Sequence, residues 1–375
     1  MGKDIYQKLA RHLDNLPGGF PPTQSGVELR ILRRLFSPEE AELALHLTLI
    51  PEEPRVIARR AKLGIEEADR RLEEMAGKGL LFGLQSGGHP PRYMASQYVI
   101  GIWEYHVKDL DPELIRDMNE YLPELFDMDT WKKAPQLRTV PVSRSIDTTR
   151  EVLTYENATE LVGGQKRFAV APCICRREAE IMGNACGKPV ETCLIFGAAA
   201  DYYVRNGIGR QIDKQEALDI LKLADEEGLV LQPSNAQKAV NICCCCGCCC
   251  QVLKSLKRYP RPASLVSTPF VASLDTTACK GCGTCVERCQ MEALRLENDK
   301  AVLDVDRCIG CGLCVSTCPT QALSLVRKPE AQQKEVPRNM TEAFLALSRE
   351  RGKLGTLNLA KMRLKSKLDR RLSAT

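Results

Sequence analysis

The sequence predicts an α+β protein of several domains, and three observations lead to that prediction. The chain has 375 residues, which is enough for two or three domains that each bury a core. Its 19 cysteines all lie between Cys173 and Cys318. A cysteine-rich segment near the end recurs 29 residues later, which indicates an internal duplication. We therefore divide the chain into a helical region at 1–105, a cysteine-rich region at 106–258, a duplicated region at 270–328 and a basic tail at 340–375.

The region at residues 1–105 contains no cysteine and carries the signals of helices. Ser37 precedes Pro38 and stands three residues before Glu40, which predicts an N-cap, a first helical residue and a capping box. We expect that helix to run to about residue 47. Further helices are predicted at 27–36, 54–63 and 65–78, and a hairpin with a polar tip at 80–94.

Three helices followed by a hairpin resemble the winged helix-turn-helix domains of bacterial regulators. That resemblance implies that the helix at 65–78 would enter the major groove of DNA. The helix carries five acidic and three basic side chains: Glu66, Glu67, Asp69, Glu73 and Glu74 against Arg70, Arg71 and Lys78. Such a surface would repel phosphates, so we favour protein docking over DNA binding for this domain.

The region at residues 106–258 mixes elements of both kinds. Helices are predicted at 111–126, 151–162, 198–206 and 213–227, and an extended connection at 134–145. A linker follows, marked by Pro260, Pro262 and Pro269.

The strongest motif lies at residues 279–318, where the spacing C-x2-C-x2-C-x3-C occurs twice. Three cysteines in one tight loop can bind three irons of a cubane, while the fourth, on the following turn, faces a partner cluster. Glycines between the cysteines let the backbone wrap closely and leave amides free to bond sulfur. The blocks are Cys279, Cys282, Cys285, Cys289 and Cys308, Cys311, Cys314, Cys318, with Gly281, Gly283, Gly310 and Gly312 between them.

These two blocks resemble the bacterial two-cluster ferredoxins. The resemblance implies two 4Fe-4S clusters that exchange single electrons, with each fourth ligand crossing over. One departure is that Gln290 follows Cys289, where the family has proline. A structural zinc site is the alternative for a four-cysteine set, but the duplicated spacing favours iron and sulfide. The implied ligand sets are Cys279, Cys282, Cys285 and Cys318 for one cluster, and Cys308, Cys311, Cys314 and Cys289 for the other.

Four further cysteines, Cys173, Cys175, Cys186 and Cys193, occur with three cations close in sequence. Positive neighbours favour thiolate and offset the charge of a cluster, so we expect a third iron–sulfur cluster here. A structural zinc site and four inert buried thiols are the alternatives. The cations are Arg176, Arg177 and Lys188.

Seven cysteines in eight positions exceed what one cubane uses. In a helix, at most about four of them would share a face. The others would hold a further cluster, join the Cys173–Cys193 set, or form a redox-active pair. The Cys245-Cys246-Gly247 tripeptide resembles the cysteine-rich domains of heterodisulfide reductases, which implies a non-cubane cluster. The run consists of Cys243, Cys244, Cys245, Cys246, Cys248, Cys249 and Cys250.

The formal net charge of +5 comes from the tail, where residues 349–375 hold nine Lys or Arg and two Asp or Glu. We interpret the tail as a basic amphipathic helix that binds an anionic membrane or an acidic partner, or else packs on its own protein. The beginning of the sequence lacks an apolar export segment, and no long apolar run follows, which predicts a soluble, cytoplasmic protein. No phosphate-binding loop or hydrolytic constellation occurs.

Together these features resemble the multidomain iron–sulfur proteins of anaerobes. The leading hypothesis is an electron carrier or oxidoreductase subunit that passes electrons to redox protein partners in a larger anaerobic complex. Its cofactors are two 4Fe-4S clusters and one or two further iron–sulfur clusters at residues 173–250. The alternatives are a redox-responsive DNA-binding regulator, and a reductase whose catalytic cluster is held by the Cys243–Cys250 run. The sequence leaves the oligomeric state open.

Overall fold

The computed structural model describes residues 4–85, 87–145, 152–353 and 356–373. Ser86 in the expected hairpin tip and Glu151 at the start of an expected helix lie outside the described residues. The chain forms two compact units. One comprises Met1–Asp127, Asp201–Gly209 and Phe344–Thr375, and the other Met128–Ala200 and Arg210–Ala343.

The elements of residues 4–127 are short helices and one hairpin. They are α1 (Ile5–Asp14), α2 (Val27–Leu35), α3 (Pro38–Ala44), α4 (Pro54–Ala61), α5 (Ile65–Gly77), β1 (Phe82–Leu84), β2 (Arg92–Met94), α6 (Trp103–Tyr105) and α7 (Pro112–Leu125).

The predicted capping box is confirmed at the start of α3. The Ser37 Oγ accepts a hydrogen bond from the Glu40 amide at 3.2 Å, and the Glu40 carboxylate accepts one from the Ser37 amide at 2.8 Å. The helix ends at Ala44, about one turn earlier than expected. The predicted hairpin is also confirmed, with β1 and β2 antiparallel and Gly83 opposite Tyr93. Glu66, Glu73 and Glu74 of α5 are exposed.

The elements from residue 128 to the linker build one sheet and its helices. They are α8 (Met128–Lys133), α9 (Ala158–Gly163), β3 (Phe168–Pro172), α10 (Ile174–Ile181), β4 (Glu191–Phe196), α11 (Gly197–Arg205), β5 (Arg210–Ile212), α12 (Lys214–Glu226), β6 (Val230–Pro233), β7 (Asn241–Cys245) and α13 (Gln251–Lys257). The strands form an antiparallel sheet in the order β5-β3-β4-β7-β6.

The remaining elements are β8 (Phe270–Leu274), α14 (Thr284–Arg288), β9 (Leu294–Glu297), β10 (Lys300–Leu303), β11 (Leu323–Arg327), α15 (Met340–Glu350) and α16 (Thr356–Leu372). Strand β8 pairs with β11, so the two ends of the duplicated region meet, and β9 pairs with β10 in its middle. The protein is thus of mixed helix and strand, as the sequence predicts.

The basic tail helix α16 packs on α4 of its own unit. The Arg60 guanidinium donates to the Asp369 carboxylate at 2.6 Å, and the Ser366 hydroxyl donates to Glu52 at 2.6 Å. Leu364 is 74% exposed, and Leu368 and Leu372 are exposed beside it. The helix therefore binds its own domain through polar side chains and leaves these leucines uncovered. Among the described residues, no helix is both long and apolar enough to cross a membrane.

Asp225 joins the duplicated region to helix α12 within the second unit. Its buried carboxylate accepts hydrogen bonds from Arg288 at 2.9 Å and from the Ser316 hydroxyl at 2.8 Å. Arg288 lies between Cys285 and Cys289, and Ser316 lies between Cys314 and Cys318. One carboxylate thus fixes both cysteine loops against the cysteine-rich region.

Candidate metal centres

The duplicated region contains two cavities of similar size. Each is lined by four cysteines, three from one block and the fourth from the other. We name them the surface cavity and the inner cavity. The surface cavity is lined by Cys279, Cys282, Cys285 and Cys318, and the inner cavity by Cys308, Cys311, Cys314 and Cys289.

The cysteine loops need glycine because they pass close to other backbone. Gly281 has φ +68°, and a Cβ there would lie 2.1 Å from the Asp299 carbonyl oxygen. Gly310 has φ +67°, and its Cβ would lie 2.3 Å from the Phe270 carbonyl oxygen. Any larger residue would therefore be both strained and obstructed at these two positions.

Backbone amides point at the cysteine sulfurs of both cavities. The Ala301 amide donates to the Cys279 Sγ at 3.4 Å in the surface cavity. In the inner cavity the Ala272 amide donates to Cys308 at 3.4 Å, and the Ala293 amide donates to the Cys289 Sγ at 3.1 Å. Sulfur donors with amide hydrogen bonds suit an iron–sulfur cluster, so the residues present fit that group.

The cysteines of the two cavities differ in exposure. Cys282 is exposed, and hydrogen bonds from Thr284 lower the pKa of its thiol. In the inner cavity, burial raises the pKa of Cys311 to about 12 and that of Cys314 well above its ordinary value. The surface cavity therefore has an exposed cysteine, Cys282, whereas Cys308 and Cys314 of the inner cavity are buried.

The seven-cysteine run forms a strand and a turn, so the helix considered for it is wrong. Strand β7 includes Cys243, Cys244 and Cys245, and the chain turns after Cys246 before α13 begins at Gln251. Since successive strand residues point to opposite faces, Cys244 is separated from its two neighbours. Burial raises its pKa to about 12.

A six-thiol group forms on one face of β7. Cys243 lies opposite Cys193 of β4 in the sheet register. Adjacent thiols are joined by hydrogen bonds, and a bond that a thiol accepts lowers its pKa, while the bond that it donates and its burial raise it. The net result for five of the six thiols is a pKa well above the ordinary value. The hydrogen bonds connect the six thiols in the order Cys173, Cys175, Cys250, Cys245, Cys243 and Cys193.

Side-chain amides also donate to the six-thiol group. The Asn241 amide nitrogen donates to the Cys243 sulfur at 3.5 Å, and the Gln232 amide nitrogen donates to the Cys250 sulfur at 3.9 Å. Sequence reasoning misses both residues because neither stands in a cysteine motif. Their positions on adjacent antiparallel strands bring them to the thiols.

A separate four-thiol group is formed by Cys186, Cys246, Cys248 and Cys249, whose sulfur atoms all lie within 4.8 Å of one another. The Cys249 thiol donates to the Cys248 sulfur at 3.8 Å. The structure thus separates Cys186 from Cys173, Cys175 and Cys193, although the sequence suggests a single set.

Buried Arg176 lies between the two thiol groups. Its guanidinium donates to the Cys244 carbonyl at 3.1 Å and to the Cys246 sulfur at 3.8 Å. Burial alone would raise the pKa of Cys246, yet hydrogen bonds from Cys249 and Cys248 and the charge of Arg176 lower it to about 7. Arg176 therefore favours thiolate in this part of the protein.

The turn that follows Cys246 touches the duplicated region. The Gly247 amide donates to the Gln290 side-chain oxygen at 2.7 Å. A Cβ on Gly247 would lie 2.3 Å from the Gln290 carbonyl oxygen. Gln290 follows Cys289 of the inner cavity, so the residue that departs from the ferredoxin pattern makes a second contact between the two cysteine regions, beside that of Asp225.

Comparison with known proteins identifies one part of the chain. Residues 272–325 match the family model of a 4Fe-4S dicluster domain. No curated protein and no solved structure matches the chain. The matched segment contains both cysteine blocks and parts of strands β8 and β11, which pair at its two ends. The match supports iron–sulfur clusters in this segment and indicates a role in electron transfer.

Proposed function

We propose that the protein relays electrons through two 4Fe-4S clusters to or from its cysteine-rich region. One cluster is held by Cys279, Cys282, Cys285 and Cys318, and the other by Cys308, Cys311, Cys314 and Cys289. The observation that carries the proposal is the lining of the two cavities, each with three cysteines of one block and the fourth of the other. When bound, such clusters supply one-electron transfer.

The path of the relay is supported by the difference between the cysteines of the two cavities. The surface cavity includes exposed Cys282, where a redox partner protein can approach. The inner cavity includes Cys289, whose neighbour Gln290 touches Gly247 at the turn of the cysteine-rich region. Electrons would therefore enter at one end of the domain and leave toward the thiol groups at the other, or travel in reverse.

Hydrogen bonds fix the duplicated region against the cysteine-rich region. Arg288 donates to the Asp225 carboxylate at 2.9 Å and to the Glu226 carbonyl oxygen at 2.8 Å. Because Arg288 is one residue from Cys289, these bonds fix the inner cavity against helix α12. A fixed separation keeps electron transfer between the regions efficient.

The proposal is tested on the full chain purified without oxygen. We expect at least about eight irons and eight labile sulfides per chain, with electron paramagnetic resonance of the reduced protein showing two interacting 4Fe-4S clusters. The Cys282→Ser and Cys311→Ser variants should each lose one cluster signal and keep the other. Fewer than eight irons in the wild-type protein, or loss of both signals from either substitution in a folded chain, would contradict the assignment.

The six-thiol group favours a second candidate, a reductase with a special cluster in the cysteine-rich region. Six hydrogen-bonded thiols exceed the four that a cubane uses. A non-cubane cluster there would bind or reduce a disulfide or thioester substrate. If candidate disulfides and thioesters leave every cluster spectrum of the loaded protein unchanged, this second candidate is eliminated while the relay is unaffected.

A further inference from the structure

The four-thiol group has the dimensions of a site for a single metal ion. A tetrahedral zinc–sulfur site with bonds of about 2.3 Å places its sulfurs about 3.8 Å apart. The Cys248 and Cys249 sulfurs are 3.8 Å apart, and the sulfurs of all four residues are within 4.8 Å of one another. The four ligands of a cubane bind four different irons at its corners, so their sulfurs stand farther apart.

The surroundings of the four-thiol group suit a negatively charged centre. Four thiolates around a divalent ion have a net charge of about −2. The Arg176 guanidinium, which is 3% exposed, donates to the Cys246 sulfur and supplies one compensating positive charge. A backbone hydrogen bond from Cys249 also reaches the Cys246 sulfur. These are the outer contacts that orient thiolate ligands and offset their charge.

The four ligands come from two segments that lack regular structure. Cys186 lies in the loop between α10 and β4, and the other three lie in the turn between β7 and α13. The Cys250 amide donates to the Cys246 carbonyl at 3.1 Å and closes that turn. An ion bound by both segments would close a long loop, and a constraint of that kind stabilises the folded chain.

We propose that Cys186, Cys246, Cys248 and Cys249 bind one tetrahedral ion, zinc or iron, without inorganic sulfide. This centre is separate from the two ferredoxin-type clusters and from the six-thiol group. Its role is to fix the Cys186 loop to the turn that contacts Gln290. Binding of the ion by four thiols releases their protons.

The test compares metal and labile sulfide in full-length variants purified without oxygen. Cys248 is exposed, so Cys248→Ser disturbs the fold least among the four. We expect this variant to lose one zinc or iron per chain and no labile sulfide. Buried Cys244→Ser is the matched control, since its thiol belongs to neither group, and it should keep the wild-type content. Whether the lost metal is zinc or iron identifies the ion.

A second measurement tests the proposal even if the ion is lost during purification. Cobalt added to purified protein that keeps its iron–sulfur clusters but has lost this ion should give, in difference spectra, the visible bands of a tetrahedral cobalt thiolate, and Cys248→Ser should abolish them. Loss of about four irons together with sulfide would overturn the single-ion proposal, as would unchanged metal in the variant. The spectra of the two ferredoxin-type clusters are recorded in the same samples. Absence of those clusters, which would contradict the relay, is therefore distinguished from absence of the single ion.

Discussion

The two cysteine-rich parts of this protein use opposite ways of gathering thiols. In the duplicated region, tight loops with left-handed glycines bring cysteines three residues apart into one cavity. In the cysteine-rich region, cysteines that are adjacent in sequence belong to different thiol groups. Successive side chains of a strand point to opposite faces, and the turn after the strand changes the direction of the next ones. Spacing therefore specifies a site only where the backbone between the cysteines is a compact loop.

The largest expected effect sharpens this contrast between spacing and tertiary structure. Replacing Cys311 with Ser should remove about four irons from the chain, because a cubane that loses one of its four cysteine ligands is not retained. Cys244→Ser, in the middle of the cysteine run, should remove none. Iron and sulfide analysis with optical spectra checks both variants. Equal iron loss from the two substitutions would break the comparison.

The contact at Asp225 tests whether the two regions form one structural body. Asp225→Ala leaves Arg288, whose side chain is 14% exposed, without its carboxylate. Breaking a buried pair in this way costs about 3–5 kcal/mol, so we expect the free energy of unfolding to fall by that amount. Glu216→Ala removes an exposed partner of Arg210 and should cost less than about 1 kcal/mol. Denaturant titration without oxygen measures both, and a similar small loss in each would show that the contact is unimportant.

Gly247→Ala probes the place where the regions touch. The added Cβ would lie 2.3 Å from the Gln290 carbonyl oxygen, so the backbone must shift. Overpacking of this kind costs about 1–3 kcal/mol, which we expect as a lowered denaturation midpoint. Gly77→Ala is the matched control, since a Cβ there has no neighbour within 4 Å. Equal midpoints for the two variants would mean that the turn and Gln290 move apart freely.

Sequence reasoning predicts this protein well where the signals are local. The capping box at Ser37 and the hairpin before Met94 depend on neighbouring residues, and both are present. The repeated cysteine blocks likewise indicate an iron–sulfur domain, and the match at residues 272–325 agrees with that prediction. Exact helix ends are less predictable, as the early end of α3 shows.

The division of the other cysteines depends on contacts between residues distant in sequence. Cys193 meets Cys243 because β4 and β7 are neighbours in the sheet, and no spacing rule contains that pairing. Cys186 joins Cys246 across about sixty residues. The conformation of the seven-cysteine run could not be predicted from hydrophobic periodicity, since a run of cysteines fits the helix and strand periods equally well. Asp225, an acid near the end of a helical pattern, gives no signal of its role.

The smallest expected effect concerns the linker between the two cysteine regions. The Lys334 ammonium donates to the Leu265 carbonyl at 3.1 Å, and burial, aided by Lys328 and Lys132, lowers its pKa to about 8. The unfolded chain keeps that proton until about pH 10.4, so between these values the unfolded state binds more protons and stability rises with pH. Lys334→Met should flatten this alkaline rise, whereas Lys222→Met, at an exposed site, should leave it in place. Unfolding free energies measured from pH 7.5 to 10 decide the matter, because an unchanged rise in Lys334→Met would assign the rise to other groups.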